Sequence, residues 1–235
     1  MHIFIIKNKS VFLNLFSLFD YKGKKMKLSV IILILFFIKS IISPLPSNYL
    51  NVTKNGMMLI GFDSLFEYHL SFLASVIIAL VFWEDFSNKN YEILYFYNGM
   101  KFNKNIFLRF FVYMCIFIFS EFILSIIYVR NIPQNFFSLI LLSVRYIPSL
   151  LFMCSLSLIM MIYTKNNIAS ILICTCFYMI DFISNGHFFK IFSLGGCTFN
   201  FIYYNSFNYY LINRILLLII SLLFIFYSCK KATQV

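Results

Sequence analysis

Apolar residues run along this chain in six long blocks separated by shorter polar stretches. A helix that crosses a bilayer takes about 20 residues at about 1.5 Å rise each. The blocks near 26–42, 64–83, 106–129, 137–163, 168–184 and 211–228 come close to or exceed that length, so each is read as a transmembrane helix. Ahead of the first block, residues 3–19 are apolar but interrupted by Lys7, Ser10, Asn14 and Ser17 at three- and four-residue intervals. Those positions form one polar stripe on a helix. The uninterrupted part, Val11 to Phe19, is too short to span, which predicts an amphipathic helix lying on the inner membrane surface.

The connections differ in length. Asn131 to Gln134 and Lys165 to Asn167 are tight hairpins. Residues 43–63 and 185–210 are long, and the second is rich in Tyr and Phe, which suits the outer interface. No internal repeat or separate soluble domain is visible. The expectation is an all-α fold with one transmembrane domain over 1–235, made of a basic, interfacial N-terminus (1–25) and a six-span bundle (26–235).

Composition agrees with the pattern. Of 235 residues, 62% are hydrophobic and 11% charged, whereas about a quarter of a soluble domain is charged. The 32 Phe and 16 Tyr, beside much Ile, Asn and Lys, match the codon bias of an AT-rich genome and carry no functional weight. The net charge of +11 does not call for nucleic acid, because it falls on one side of the bilayer. With both termini inside, thirteen basic residues are cytosolic (Lys7, Lys9, Lys22, Lys24, Lys25, Lys27, Lys89, Lys101, Lys104, Arg109, Lys165, Lys230 and Lys231). Four face outward: Lys54, Arg130, Lys190 and Arg214. That asymmetry sets the orientation. Lys39, about a turn from the outer end of the first span, snorkels outward. Cleavage of Lys22 to Pro46 as a signal peptide is disfavoured, since no small-x-small site follows and five more spans do.

One polar island needs a reason. Residues 83–110 read W-E-D-F-S-N-K-N-Y-E-I-L-Y-F-Y-N-G-M-K-F-N-K-N-I-F-L-R-F. Glu84 and Asp85 place carboxylates at the inner surface directly after span two. Ser87 or Asn90 caps a helix, Tyr91 to Asn98 supply about two turns, and Gly99 stops it. A helix so short needs something to pack on, either the lipid surface or another protein.

Two further charges lie within spans. Glu121 and Arg145 are equidistant from Pro133 at the centre of the hairpin between spans three and four, so they fall at similar depth and are expected to pair. The pair either fixes the rotation of the hairpin or borders a pathway. Pro148 is expected to kink span four near Arg145. Asp181, near the outer end of span five, reads as interfacial.

Catalytic signatures are sparse. The cysteines at 115, 154, 174, 176, 197 and 229 give no disulfide framework, and Cys174 and Cys176 point to different helix faces. His2 and His69 have no metal partners in sequence. His187 and Cys197 share one outer segment and raise a membrane cysteine peptidase as a rival reading. A stand-alone membrane immunity or accessory protein is another.

The segment E-D-F-S-N-K-N-Y-E-I-L-Y-F-Y-N-G-M-K-F-N-K-N-I-F-L-R-F-F resembles the one after span two in ABC-2 type permeases, the membrane subunits of ATP-driven exporters. The layout is similar too: a surface helix, six spans, both termini inside, and a long outer segment between spans five and six. In place of the Gly-Thr pair common before the family's coupling helix stands Ser87-Asn88-Lys89-Asn90. The resemblance implies a coupling helix formed by Asn90, Tyr91, Glu92, Ile93, Leu94, Tyr95 and Gly99 that docks into an ATPase. It is closest to small permeases for export of, or immunity to, modified peptides and bacteriocins. No G-x-x-x-x-G-K-[ST] loop is present, so ATP and Mg belong on a separate ATPase subunit and this chain binds no cofactor. It further implies a second permease copy, identical or related, an amphipathic or peptide-like cargo, and residence in a bacterial cytoplasmic membrane.

Overall fold

The computed structural model describes residues 24–53, 56–59, 64–86, 101–132, 140, 142–195 and 207–231. Most of them are helical. In chain order the helices are α1 (Lys24–Ile42), α2 (Ser71–Val81), α3 (Trp83–Phe86), α4 (Lys101–Tyr128), α5 (Ile147–Thr164), α6 (Asn167–Ile183) and α7 (Phe207–Lys231). A six-residue π-helix, Leu65–Leu70, runs straight into α2. Every apolar block of the sequence thus contains a helix. The amphipathic helix expected at 3–19 and the coupling helix expected from Asn90 to Gly99 lie outside the described residues.

Among the described residues, three helices are long and apolar enough to cross a membrane: Asn105–Tyr128, Leu142–Thr164 and Tyr210–Lys231. Leu65–Val81 and Asn167–Ile183 are apolar but shorter. One element departs from an all-α fold. Leu50–Thr53 (β1) pairs antiparallel with Gly56–Leu59 (β2), with Leu50 opposite Leu59 and Thr53 opposite Gly56. With Thr53 opposite Gly56, two residues, Lys54 and Asn55, join the strands in sequence.

Side-chain bonds show which helix ends meet. Lys25 Nζ donates to Val81 O at 3.2 Å, so the start of α1 touches the end of α2. Asn167 Nδ2 donates to Phe82 O at 3.4 Å, bringing the start of α6 there too. At the other end of α1, Arg130 donates to Ile41 O at 2.9 Å and Leu45 N to Tyr128 O at 2.9 Å. The bundle therefore has two distinct ends. Between α5 and α6 the chain turns through Lys165, in the left-handed region at φ 52°, and the Asn166 side chain caps α6 by accepting from Ile168 N at 2.9 Å.

α5 lies at the centre. Its spanning stretch is 67% buried, against 39% for that of α4 and 28% for that of α7. Phe66, Phe82, Tyr113, Phe117 and Leu150 pack the main core, and a second cluster holds Tyr68, Phe152, Leu194 and Leu217. Serines let three helices approach closely. Ser157 Oγ donates to Ser75 O of α2 at 2.9 Å, and Ser170 Oγ of α6 donates to Ser157 O at 2.7 Å. Small hydroxyl residues are the usual means of close helix contact where water is absent, since they shorten the interaxial distance and bond across it.

Candidate functional site

The most unusual chemistry in the bundle is a buried ionic cluster at the end opposite Lys25 and Val81. Glu67 is fully buried, and its Oε1 receives Arg214 at 3.1 Å and lies 3.8 Å from Arg145 Nε. Taking a carboxylate and two guanidinium groups out of water is costly and is repaid only by close pairing and further hydrogen bonds. The fold supplies them.

Glu67 projects from the π-helix, whose extra residue per turn widens the backbone. The displaced backbone is partly satisfied by Ser71 Oγ, which donates to Phe66 O at 3.2 Å. π-turns inside α-helices are frequent at functional sites. Arg145 sits where the helix of span four is interrupted, at Arg145-Tyr146, just before α5 restarts with Pro148 in its first turn. That is where the ring of Pro148 disrupts the preceding turn. Its guanidinium lies over the Tyr146 ring at 4.6 Å and donates to Tyr146 Oη at 3.0 Å. Arg214, in the first part of α7, donates to Ser149 Oγ at 2.6 Å and to Leu194 O at 2.9 Å, and lies over Tyr210 at 4.8 Å.

Asp181 extends the cluster. Its Oδ2 accepts from Leu194 N at 2.8 Å and from Ser193 Oγ at 3.0 Å. Beside it, Asn213 Nδ2 donates to Ile191 O at 2.6 Å and to Ser193 O at 3.0 Å. Gly195 packs directly on Glu67 and Tyr68; a Cβ there would overlap the Glu67 carboxylate and come within 2.6 Å of the Tyr68 ring.

One of these placements corrects a sequence expectation. Asp181 is fully buried, not interfacial, because the chain after α6 folds back over it. Arg214 is 6% exposed, with its guanidinium turned into the bundle. Sequence reasoning passes over Glu67 and Arg214 for one shared reason. Each lies within about a turn of a span end, where a long charged side chain ordinarily reaches water. The signal that finds them is their position inside the apolar blocks 64–83 and 211–228, since an ionisable residue in a span marks a candidate site.

Glu121 and Arg145 are both buried, as charges within apolar blocks require. Glu121 lies on α4 within electrostatic reach of Cys154 on α5, and Arg145 Nε lies 3.8 Å from Glu67 Oε1. At the opposite end, Asp85 and Arg109 form a second ion pair, and Arg109 lies over Phe82 at 5.1 Å. Of the two carboxylates expected at the inner surface, Asp85 joins the base of α4 to the end of the α2–α3 segment. Glu84 is in α3. His187 is exposed, while Cys197 lies outside the described residues. Among the described residues no group of three His, Cys, Asp or Glu comes together as a metal site.

The outer faces of the helices are apolar, with Phe119 69%, Leu222 65% and Ile183 76% exposed. Apolar surface on that scale is not tolerated in water and is what lipid tails cover. With three helices of spanning length, this makes the chain a multi-pass helical membrane protein. Comparison with protein-family models, curated proteins and solved structures gives no match.

Proposed function

We propose that this chain is the membrane subunit of an ATP-driven exporter of the ABC-2 type, with six spans, both termini cytosolic, and its ATPase on a separate polypeptide. α1, of 19 residues, and the two shorter apolar helices, Leu65–Val81 and Asn167–Ile183, complete the six. Even seventeen residues at about 1.5 Å rise give roughly 26 Å, near the hydrocarbon thickness of about 30 Å. Orientation follows the basic residues. Lys25 and Arg109 belong to one end, and Lys231, over the Tyr163 ring at 5.9 Å, belongs with Lys165 beside the α5–α6 turn at that end. The cytosol is the side that collects them.

The observation that carries the reading is the Asp85–Arg109 ion pair. Asp85 lies one residue before the described chain stops at Phe86 and Arg109 lies on the helix that resumes at Lys101, so the pair ties together the two ends between which, in sequence, stand the coupling-helix residues Asn90, Tyr91, Glu92, Ile93, Leu94, Tyr95 and Gly99. A load on the island is thereby passed to spans two and three together. That suits a handle for a partner's power stroke better than a passive surface loop. The partners proposed are one ATPase, a second permease copy, the bilayer, and an amphipathic or peptide-like cargo of the bacteriocin type. Glu121 and Arg145 are proposed to act as an intramembrane pair together with Glu67.

The test is a photo-crosslinking amino acid at Tyr91 or Leu94, in membranes of the organism that makes this chain, with and without ATP. An ATP-sensitive adduct to a protein carrying a phosphate-binding loop is expected. Absence of any adduct across 88–100, with this chain folded and an ATPase of that kind expressed, removes the exporter reading in favour of a stand-alone immunity protein.

A further inference from the structure

Two residues after the 3-10 turn at Lys190–Phe192 ends, the chain lies in a polar notch that grips one residue. Leu194 has its side chain buried beside Tyr68, Phe152 and Met153. Its N–H donates to Asp181 Oδ2 at 2.8 Å, and its C=O accepts from Arg214 at 2.9 Å and from Ser149 Oγ at 2.9 Å. The preceding Ser193 is extended, at φ −63° and ψ 145°, and its C=O accepts from Asn213 at 3.0 Å.

The manner of gripping is informative. A connecting segment ordinarily satisfies its backbone through its own turns or through water. Here side chains from α5, α6 and α7 read the N–H and C=O of Leu194, in a bend, and the C=O of the extended Ser193 before it, with an apolar pocket for the Leu194 side chain. That is how a peptide site reads backbone for affinity and one side chain for selectivity. Two of the reading groups are charged, and a buried ionic wall is often no more stabilising than an apolar one of the same shape. Stability therefore gives no particular reason for charges here. Asp181 Oδ1 and Asn213 Oδ1 are buried and accept no hydrogen bond among the described residues, which leaves acceptor capacity in the wall for further amides.

We propose that this notch is a recognition site for a peptide segment that presents an apolar side chain and its flanking backbone amides, closed in this structure by the chain's own Leu194. The site deepens the exporter reading by giving a peptide cargo its foothold, and rests on that reading for its purpose, though not for its binding chemistry. The tethered residue competes at high effective concentration, so a free peptide binds only when the strap is loosened.

The experiment uses the full chain in lipid nanodiscs and a fluorescent peptide with the sequence of residues 190–195. Leu194→Gly empties the pocket. The L194G chain is expected to bind the peptide while the parent does not, and L194G/N213A to bind about tenfold more weakly, having lost hydrogen bonds to the peptide backbone. A folded L194G chain that binds no better than the parent overturns the proposal, as does equal binding of the D-enantiomer, which marks adsorption to lipid. Should L194G not fold, Ser193→Cys in the otherwise intact chain serves instead. Excess peptide should speed its labelling by a membrane-impermeant maleimide, and no acceleration refutes the idea. None of these steps contains an ATPase, so failure here and failure of the exporter reading are separate results.

Discussion

Arg214 reaches Glu67 at 3.1 Å across 147 residues of sequence, and the contact joins the π-helix ahead of α2 to the first turns of α7. Neither residue has water to fall back on, since both are buried. Everything at this end of the bundle, from Ser149 to Gly195, is arranged around that pair.

Breaking the pair from one side should destabilise the protein strongly. Glu67→Gln leaves two guanidinium groups facing a neutral amide, and loss of one partner of a buried pair costs about 3–5 kcal/mol. Thermal denaturation in detergent, followed by size-exclusion fluorescence, should show a clear loss for E67Q. The E67Q/R214Q double variant should lose less than the two single losses added, and strict additivity would mean that the contact carries no coupling.

Arg145 is placed to discriminate between two carboxylates. If Glu121 and Arg145 act as a pair, the cycle E121Q, R145Q and E121Q/R145Q should give a coupling energy of at least about 0.5 kcal/mol. The parallel cycle with Glu67 should give one as well, given the 3.8 Å approach. A coupling with Glu67 alone would assign Arg145 wholly to the cluster built on the π-helix.

Gly195→Ala should be harmful out of proportion to its one methyl group. The added Cβ overlaps the Glu67 carboxylate and the Tyr68 ring, and overpacking of this kind costs about 1–3 kcal/mol. Shortening Glu67 in the same chain should relieve part of the strain. If G195A melts like the parent, the close approach of the strap to Glu67 is wrong.

The serine contacts between α2, α5 and α6 should tolerate loss of a hydroxyl but not added bulk. Ser157→Ala removes hydrogen bonds worth about 0.6 kcal/mol on average in such bundles. Ser157→Leu instead forces α2 from α6 at the position where Ser157 bonds both Ser75 and Ser170. Folded yield after detergent extraction should rank parent, S157A, then S157L well below.

Much of the fold follows from the order of apolar and polar residues alone. Six apolar blocks become six helical regions, because a chain in a setting without water must satisfy its backbone internally, and a helix does so with local bonds. Pro148 interrupts span four through its own ring, and Asn166 caps α6 through its own side chain, both effects confined to a few residues. The short hairpin of β1 and β2 is less visible, since four-residue strands leave almost no period to read.

The site belongs to the tertiary structure. Sequence shows that Glu67, Asp181 and Arg214 are charged and lie in or near apolar blocks, but the same letters fit a side chain that reaches water at a helix end. What decides is the rotation of each helix about its axis and the path of the chain from Ile191 to Gly195, which folds over Asp181 and closes the end of the bundle. Helix formation is a matter of neighbours four residues apart, whereas the burial of a charge depends on partners as far as 147 residues away. The sequence therefore determines the helices, and only their packing determines which charges are sealed inside and what they hold.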